Sequence, residues 1–172
     1  MFPLKLFNNC KNIFLCFLLI VNIIFVPSSA ISKIVGDKIF IGTTFSLSGE
    51  NSPVSKSFKI KIDKLLKDIN QSGGIIAGGK SYNLEIIFYN DESDSNKLNH
   101  LLIRLIKYDG VQFLIVLEDI NLSDKTQNTI NDYDISVVRS NEALSIYKEA
   151  FESVDSVNSK QIRDFLINKI KN

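Results

Sequence analysis

An α/β fold, a doubly wound parallel sheet in three layers (α/β/α), is predicted by three observations. Runs of β-branched and aromatic residues at Lys38–Leu47 and Tyr82–Tyr89, and an unbroken apolar run at Val111–Leu117, read as strands. The segments between them carry apolar residues at helical spacing. Glycines close both of those segments, at Gly73-Gly74 and at Gly110. Strands alternating with helices in this order should lie parallel and be joined by right-handed crossovers.

Taken in order, Lys38–Leu47 is rich in Ile, Phe and Thr and holds Gly42, which suits a buried strand. The polar turn Ser48-Gly49-Glu50-Asn51-Ser52-Pro53 follows, and then Phe58, Ile62, Leu65, Leu66 and Ile69 mark one face of a helix. Ala77-Gly78-Gly79-Lys80 reads as a tight turn into the second strand. That strand ends in a polar run, Asn90 to Asn96, where Asp94 or Ser95 can cap a helix striped by Leu98, Leu101, Leu102, Leu105 and Ile106. Val111–Leu117 has the continuous apolar character of a central strand covered on both faces. A polar or helical segment from Ser123 to Asn131 leads to a fourth strand at Asp134–Val138, and two helices, Asn141–Ser153 and Ser159–Lys171, finish the chain. Asn158 and Gln161 have capping-box spacing at the start of the last helix.

Residues 1–30 read as a cleavable secretory signal. Lys5 and Lys11 stand without an acid ahead of the stretch Ile13–Val26, which is apolar apart from Cys16 and Asn22, and Pro27-Ser28-Ser29-Ala30 supplies a helix breaker and the small residues that signal peptidase requires. Cleavage is expected after Ala30, and the apolar run is shorter than the roughly 20 residues of a membrane span. The protein is thus expected to be periplasmic or secreted. Both cysteines, Cys10 and Cys16, fall inside the signal, so the single domain expected at 31–172 has no thiol or disulfide chemistry. That domain carries 18 Lys and Arg against 19 Asp and Glu with no basic stripe, which argues against nucleic acid as a partner. Lys56, Lys59, Lys61, Lys64 and Lys67 cluster, but on what should be the solvated face of the first helix.

Catalytic equipment is sparse. His100 is the only histidine, and no cysteine or second histidine completes a metal site around it. No nucleophile elbow, phosphate loop, zinc-protease motif or dinucleotide fingerprint is present, so neither an enzymatic activity nor a cofactor is expected. Acids gather instead at strand ends: Asp91 and Glu92 after the second strand, Glu118 and Asp119 after the third. Ligands of open parallel sheets bind beyond the carboxyl ends of strands. Ser46, Ser48, Gly49, Asp91, Glu118 and Ser123 are therefore the candidate ligand-binding residues, for a polar or cationic solute. The alternative is that these acids and serines cap helix N-termini, where the macrodipole favours negative charge.

Several of these segments together carry a resemblance. Ile41-Gly42, Leu47-Ser48-Gly49, Ile69-Asn70-Gln71-Ser72-Gly73-Gly74-Ile75, a strand ending at Asn90-Asp91, and Tyr108-Asp109-Gly110-Val111 resemble the start of type I periplasmic solute-binding proteins, in particular the leucine/isoleucine/valine-binding family of branched-chain amino acid ABC transporters. The resemblance implies a doubly wound lobe, hinged to a second of the same type, that traps a small polar solute such as an amino acid for a membrane permease. The chain departs from that pattern in being less than half the usual length, which implies a first lobe only, truncated or degenerate. It also carries Ser55 and Lys61 where the family often has glycine, and Val116-Leu117-Glu118-Asp119-Ile120-Asn121 lacks the turn and hydroxyls that hold an amino acid. Ala143–Phe151 and Ser156–Leu166 resemble the late segment that returns to the first lobe. Two functions follow as expectations. One is a solute-binding lobe in which backbone amides of Ser48-Gly49-Glu50 and the strand-end polar groups grip the solute. The other is an exported interaction protein that kept the fold, lost the ligand and pairs with a second copy of itself.

Overall fold

The computed structural model describes residues 37–117 and 119–170, the last of them by its backbone alone; the predicted signal with its cut at Ala30, and Glu118, lie outside the described residues. In chain order the elements are β1 (Lys38–Phe45), α1 (Ser52–Gln71), β2 (Ile75–Ala77), β3 (Lys80–Asn90), α2 (Ser95–Lys107), β4 (Phe113–Ile115), α3 (Asp124–Asp132), β5 (Ser136–Val138), α4 (Ala143–Val154) and α5 (Ser159–Ile170). They form one five-stranded sheet in the order β2-β3-β1-β4-β5. β1 runs parallel to β3 from Lys38↔Asn83 to Phe45↔Asn90, and β4 runs parallel to both β1 and β5.

Side-chain alternation along β1 separates the two faces. Ile39, Ile41 and Phe45 enter a core shared with Phe58 and Ile62 of α1, Leu144, Tyr147 and Phe151 of α4, and Ile162 and Leu166 of α5. Phe40 packs on the other core, where Leu98, Leu102, Leu105 and Ile106 of α2 meet Val111, Leu114 and Ile130. Gly42 lies beneath α2: a Cβ there would sit 2.8 Å from Val111 Cγ2 and 3.0 Å from Leu114 Cδ2, so a side chain would push the layers apart. Each predicted helical stripe is thus a buried face, and among the described residues no helix is long and apolar enough to cross a membrane.

The sheet is parallel-dominant but mixed. Four strands were expected, all parallel; β2 is a fifth, antiparallel to β3 through Ile75↔Tyr82 and Ala77↔Lys80. The predicted turn at Ala77–Lys80 is present as the two-residue loop of this hairpin. Gly78 and Gly79 both have positive φ, 58° and 70°, as a type I′ hairpin turn requires. A strand of three residues is too short to show a period of two, but paired glycines between apolar residues are a hairpin signal. β4 pairs over three residues only, although burial extends from Val111 to Val116 as expected of a central strand. The Asn70 side chain, in the Ile-Asn-x-x-Gly-Gly segment, bonds both the N–H and the C=O of Leu84 (2.8 and 2.9 Å), tying the end of α1 to β3 as a neighbouring strand would.

Candidate functional site: the crevice at the strand carboxyl ends

From β1 the chain crosses to β3 on one side, and from β3 it returns past β1 to β4 on the other. The loops leaving β1 and β4 therefore diverge, which makes a crevice at the topological switch point of the sheet. Three loops border it: β1 to α1, β3 to α2, and β4 to α3.

The first two are bonded to each other. Ser46 Oγ donates to Asp91 Oδ1 at 2.5 Å, and the Ser93 N–H donates to the same oxygen at 3.0 Å. The Leu47 and Glu92 N–H groups share Asn90 Oδ1. Ser93 Oγ donates to the Ser48 carbonyl and accepts from the Asn51 N–H. Glu92 and Ser93 hold positive φ values of 58° and 63°, uncommon for residues with a Cβ, and these bonds stabilise that conformation. Asp94 caps α2 by accepting from the Asn96 and Lys97 N–H groups, which holds its carboxyl below the ordinary value and keeps it charged.

The third loop hangs from α2. Buried Asn99 accepts from the Ser123 N–H (2.8 Å) and the Thr126 hydroxyl (2.7 Å) through Oδ1, while its Nδ2 donates to the Ser95 carbonyl. Ser123 caps α3 by accepting from the Thr126 N–H. Arg139, just past β5, donates to the Ile120 carbonyl.

Between these loops is a cleft of about 390 Å³. The β1–α1 side contributes Ser46, Asn51 and Val54; the β3–α2 side Asp91, Ser93, Asp94, Ser95 and Leu98; the β4–α3 loop Leu117, Asp119, Ile120 and Asn121; and Asn141 arrives from beyond β5. Of the six candidate residues, Ser46 and Asp91 line the cleft and bond each other. Ser48 and Gly49 belong to the bordering turn but not to the lining, Ser123 is the cap of α3, and Glu118 is outside the described residues. The capping alternative is realised by Ser123, while Ser46 and Asp91 cap no helix and line the cleft. Of the other strand-end acids expected to receive a polar or cationic solute, Asp119 lines the cleft and Glu92 does not; Asn51, Ser93, Asp94, Ser95, Asn121 and Asn141 line it without having been expected to bind a ligand, although Asp94 and Ser95 lie in a segment noted for capping. Nothing in the local pattern around Asn141 places it here. His100 is exposed on α2, away from the lining.

An open α/β lobe with helices on both faces and a crevice at its switch point has the architecture of one lobe of a type I solute-binding protein. Solved structures that share this fold with the chain include substrate-binding proteins of ABC transporters. One from Aeropyrum pernix aligns with a TM-score of 0.53 at 16% identity, over 61% of this chain and 27% of that one. The branched-chain amino acid transporter substrate-binding protein of Streptococcus pneumoniae, in complex with isoleucine, aligns at 0.48 and 16% over 59% and 28%. A solute-binding protein of R. palustris, in complex with 4-hydroxybenzoate, aligns at 0.47 and 19% over 60% and 27%. The chain spans little more than a quarter of the length of these proteins. No protein-family model matches it, and no curated protein matches it in sequence.

Proposed function

We propose that this protein is an exported solute-binding lobe of an ABC-type uptake system, which holds a small polar solute such as an amino acid noncovalently and presents it to a membrane permease. The observation that carries this reading is the cleft itself: about 390 Å³, polar and apolar groups interleaved, at the switch point of the sheet, where open α/β folds bind their ligands. Its polar groups are preorganised, since Ser46, Asp91 and Ser93 are fixed by bonds between loops. Binding here needs no covalent step and no cofactor. Ligand pockets usually enclose most of their occupant, so a second body, a further lobe or another copy of the chain, would complete the enclosure.

The test is a thermal-shift screen of the protein against amino acids, polyamines and small amides. A solute that raises the melting temperature saturably is the expected result, because a ligand of the native state stabilises it by mass action. A cooperative melt that no solute moves would overturn the reading. Concentration-dependent self-association in that case would favour the interaction protein instead.

A further inference from the structure

We infer that the occupant of this cleft is an organic cation, a primary ammonium or guanidinium on a short aliphatic chain, seated against Asp91. The inference rests on the solute-binding reading and adds the ligand's charge to it. Asp91 is 2% exposed. Its Oδ1 takes two hydrogen bonds, from Ser46 Oγ and the Ser93 N–H, whereas Oδ2 takes none among the described residues, and Asp91 lines the cleft. A carboxylate has about four lone-pair sites, and Oδ2, which is not sealed away without a partner as Ser136 Oγ is, remains open to a donor from the cleft. A donor that carries positive charge, brought in by a ligand, supplies both the missing hydrogen bond and the missing counter-charge.

The rest of the lining agrees. Asp94 and Asp119 bring the carboxylates to three, and no lysine or arginine is among the lining residues. Two cations on the bordering elements are engaged by other groups: Lys97 pairs with Glu92 at 2.8 Å, and Arg139 donates to the Ile120 carbonyl. Val54, Leu98 and Leu117 offer apolar surface for methylene groups. Among the described residues no group of three or more acid, histidine or cysteine side chains converges as a metal site, which favours an organic cation over a metal ion.

Titration calorimetry of the protein with putrescine and agmatine, against the chain-matched 1,4-butanediol and succinate, separates the possibilities. Putrescine or agmatine should bind at least about tenfold more tightly than the diol, the factor expected of one or two close charge pairs near a protein surface, and succinate should bind least. Asp91→Asn keeps an acceptor for Ser46 and should weaken putrescine by about tenfold or more, with the diol unaffected. Should that variant fail to fold, Asp119→Asn, on the exposed loop, carries the same test with a loss of about threefold to tenfold. Equal affinity for the diol or succinate would overturn the cationic ligand and leave the solute-binding reading standing. No binding by these four probes, combined with a flat amino-acid and amide screen on folded protein, would overturn both.

Discussion

The two faces of the sheet are built in different ways. On the α2 face, a continuous stretch of chain from α2 through β4 to α3 covers the strands with aliphatic side chains, Leu98, Leu102, Leu105, Leu114 and Ile130 among them. On the α1 face, β1 and α1 meet helices from the far end of the chain, and the contact is aromatic. Phe113 packs edge-on against Tyr147 and Phe151, at ring-centroid distances of 5.7 and 4.8 Å, while Phe45 meets Phe58 at 6.0 Å. The buried Tyr147 hydroxyl donates to and bridges the carbonyls of Leu114 and Ser136, joining α4 to β4 and β5. One face is therefore assembled from neighbours in sequence, and the other depends on elements that are distant in sequence.

The largest break in this comparison is removal of α4 and α5 by truncation after Arg139. Uncovering Phe113, Ile115 and Val138 should abolish the cooperative thermal transition followed by circular dichroism. A truncated chain that still melts cooperatively would mean that the α1 face does not need its distant helices. Phe151→Ala, which leaves a cavity against Phe113 and Tyr147, should cost about 3–5 kcal/mol in urea unfolding. Gly42→Ala probes the opposite face by overfilling it, and should cost about 1–3 kcal/mol, since the new methyl would contact Val111 and Leu114. The smallest effect belongs to Asp94, a cap in open solvent. Asp94→Asn should lower the melting temperature slightly at neutral pH. Because the folded carboxyl titrates below its ordinary value of 3.8, its stabilisation is complete above that value and is lost as pH falls through the lowered one. The gap between wild type and variant should accordingly close in acid.

The α2 face was the more legible from sequence. Its stripe, its Asp94 cap and its closing glycine all lie within one segment, and hydrophobic periodicity reports such local consistency directly. The start of α5 was legible for the same reason: Asn158 Oδ1 accepts from the Gln161 N–H three residues on. The β2 hairpin was missed because three residues show no period, and its pairing with β3 is specified by the Gly78-Gly79 turn. In the candidate site, strand-end acids and serines were legible as a class, but their roles were not. Asp91 and Asp94 stand three residues apart in the same polar run, and the first is buried against Ser46 while the second caps a helix in solvent. That distinction comes from β1 lying beside β3 in the register Phe45↔Asn90, which brings Ser46 to Asp91.

The sequence by itself determined the alternation of strands and helices, the faces that would be buried, the parallel run of β1, β3 and β4, and the gathering of acids and serines at the strand carboxyl ends. These depend on periodicity and capping within short windows, where neighbours in sequence are neighbours in space. The tertiary structure decided which polar residues share the cleft. It brought Asn141 and Asp119 to the loops of β1 and β3, engaged Ser123 as the cap of α3, and left one oxygen of Asp91 bare among the described residues. A side chain's burial and its bonding partner depend on which strands pair and in what register, and that is settled only when segments far apart in the chain are packed together.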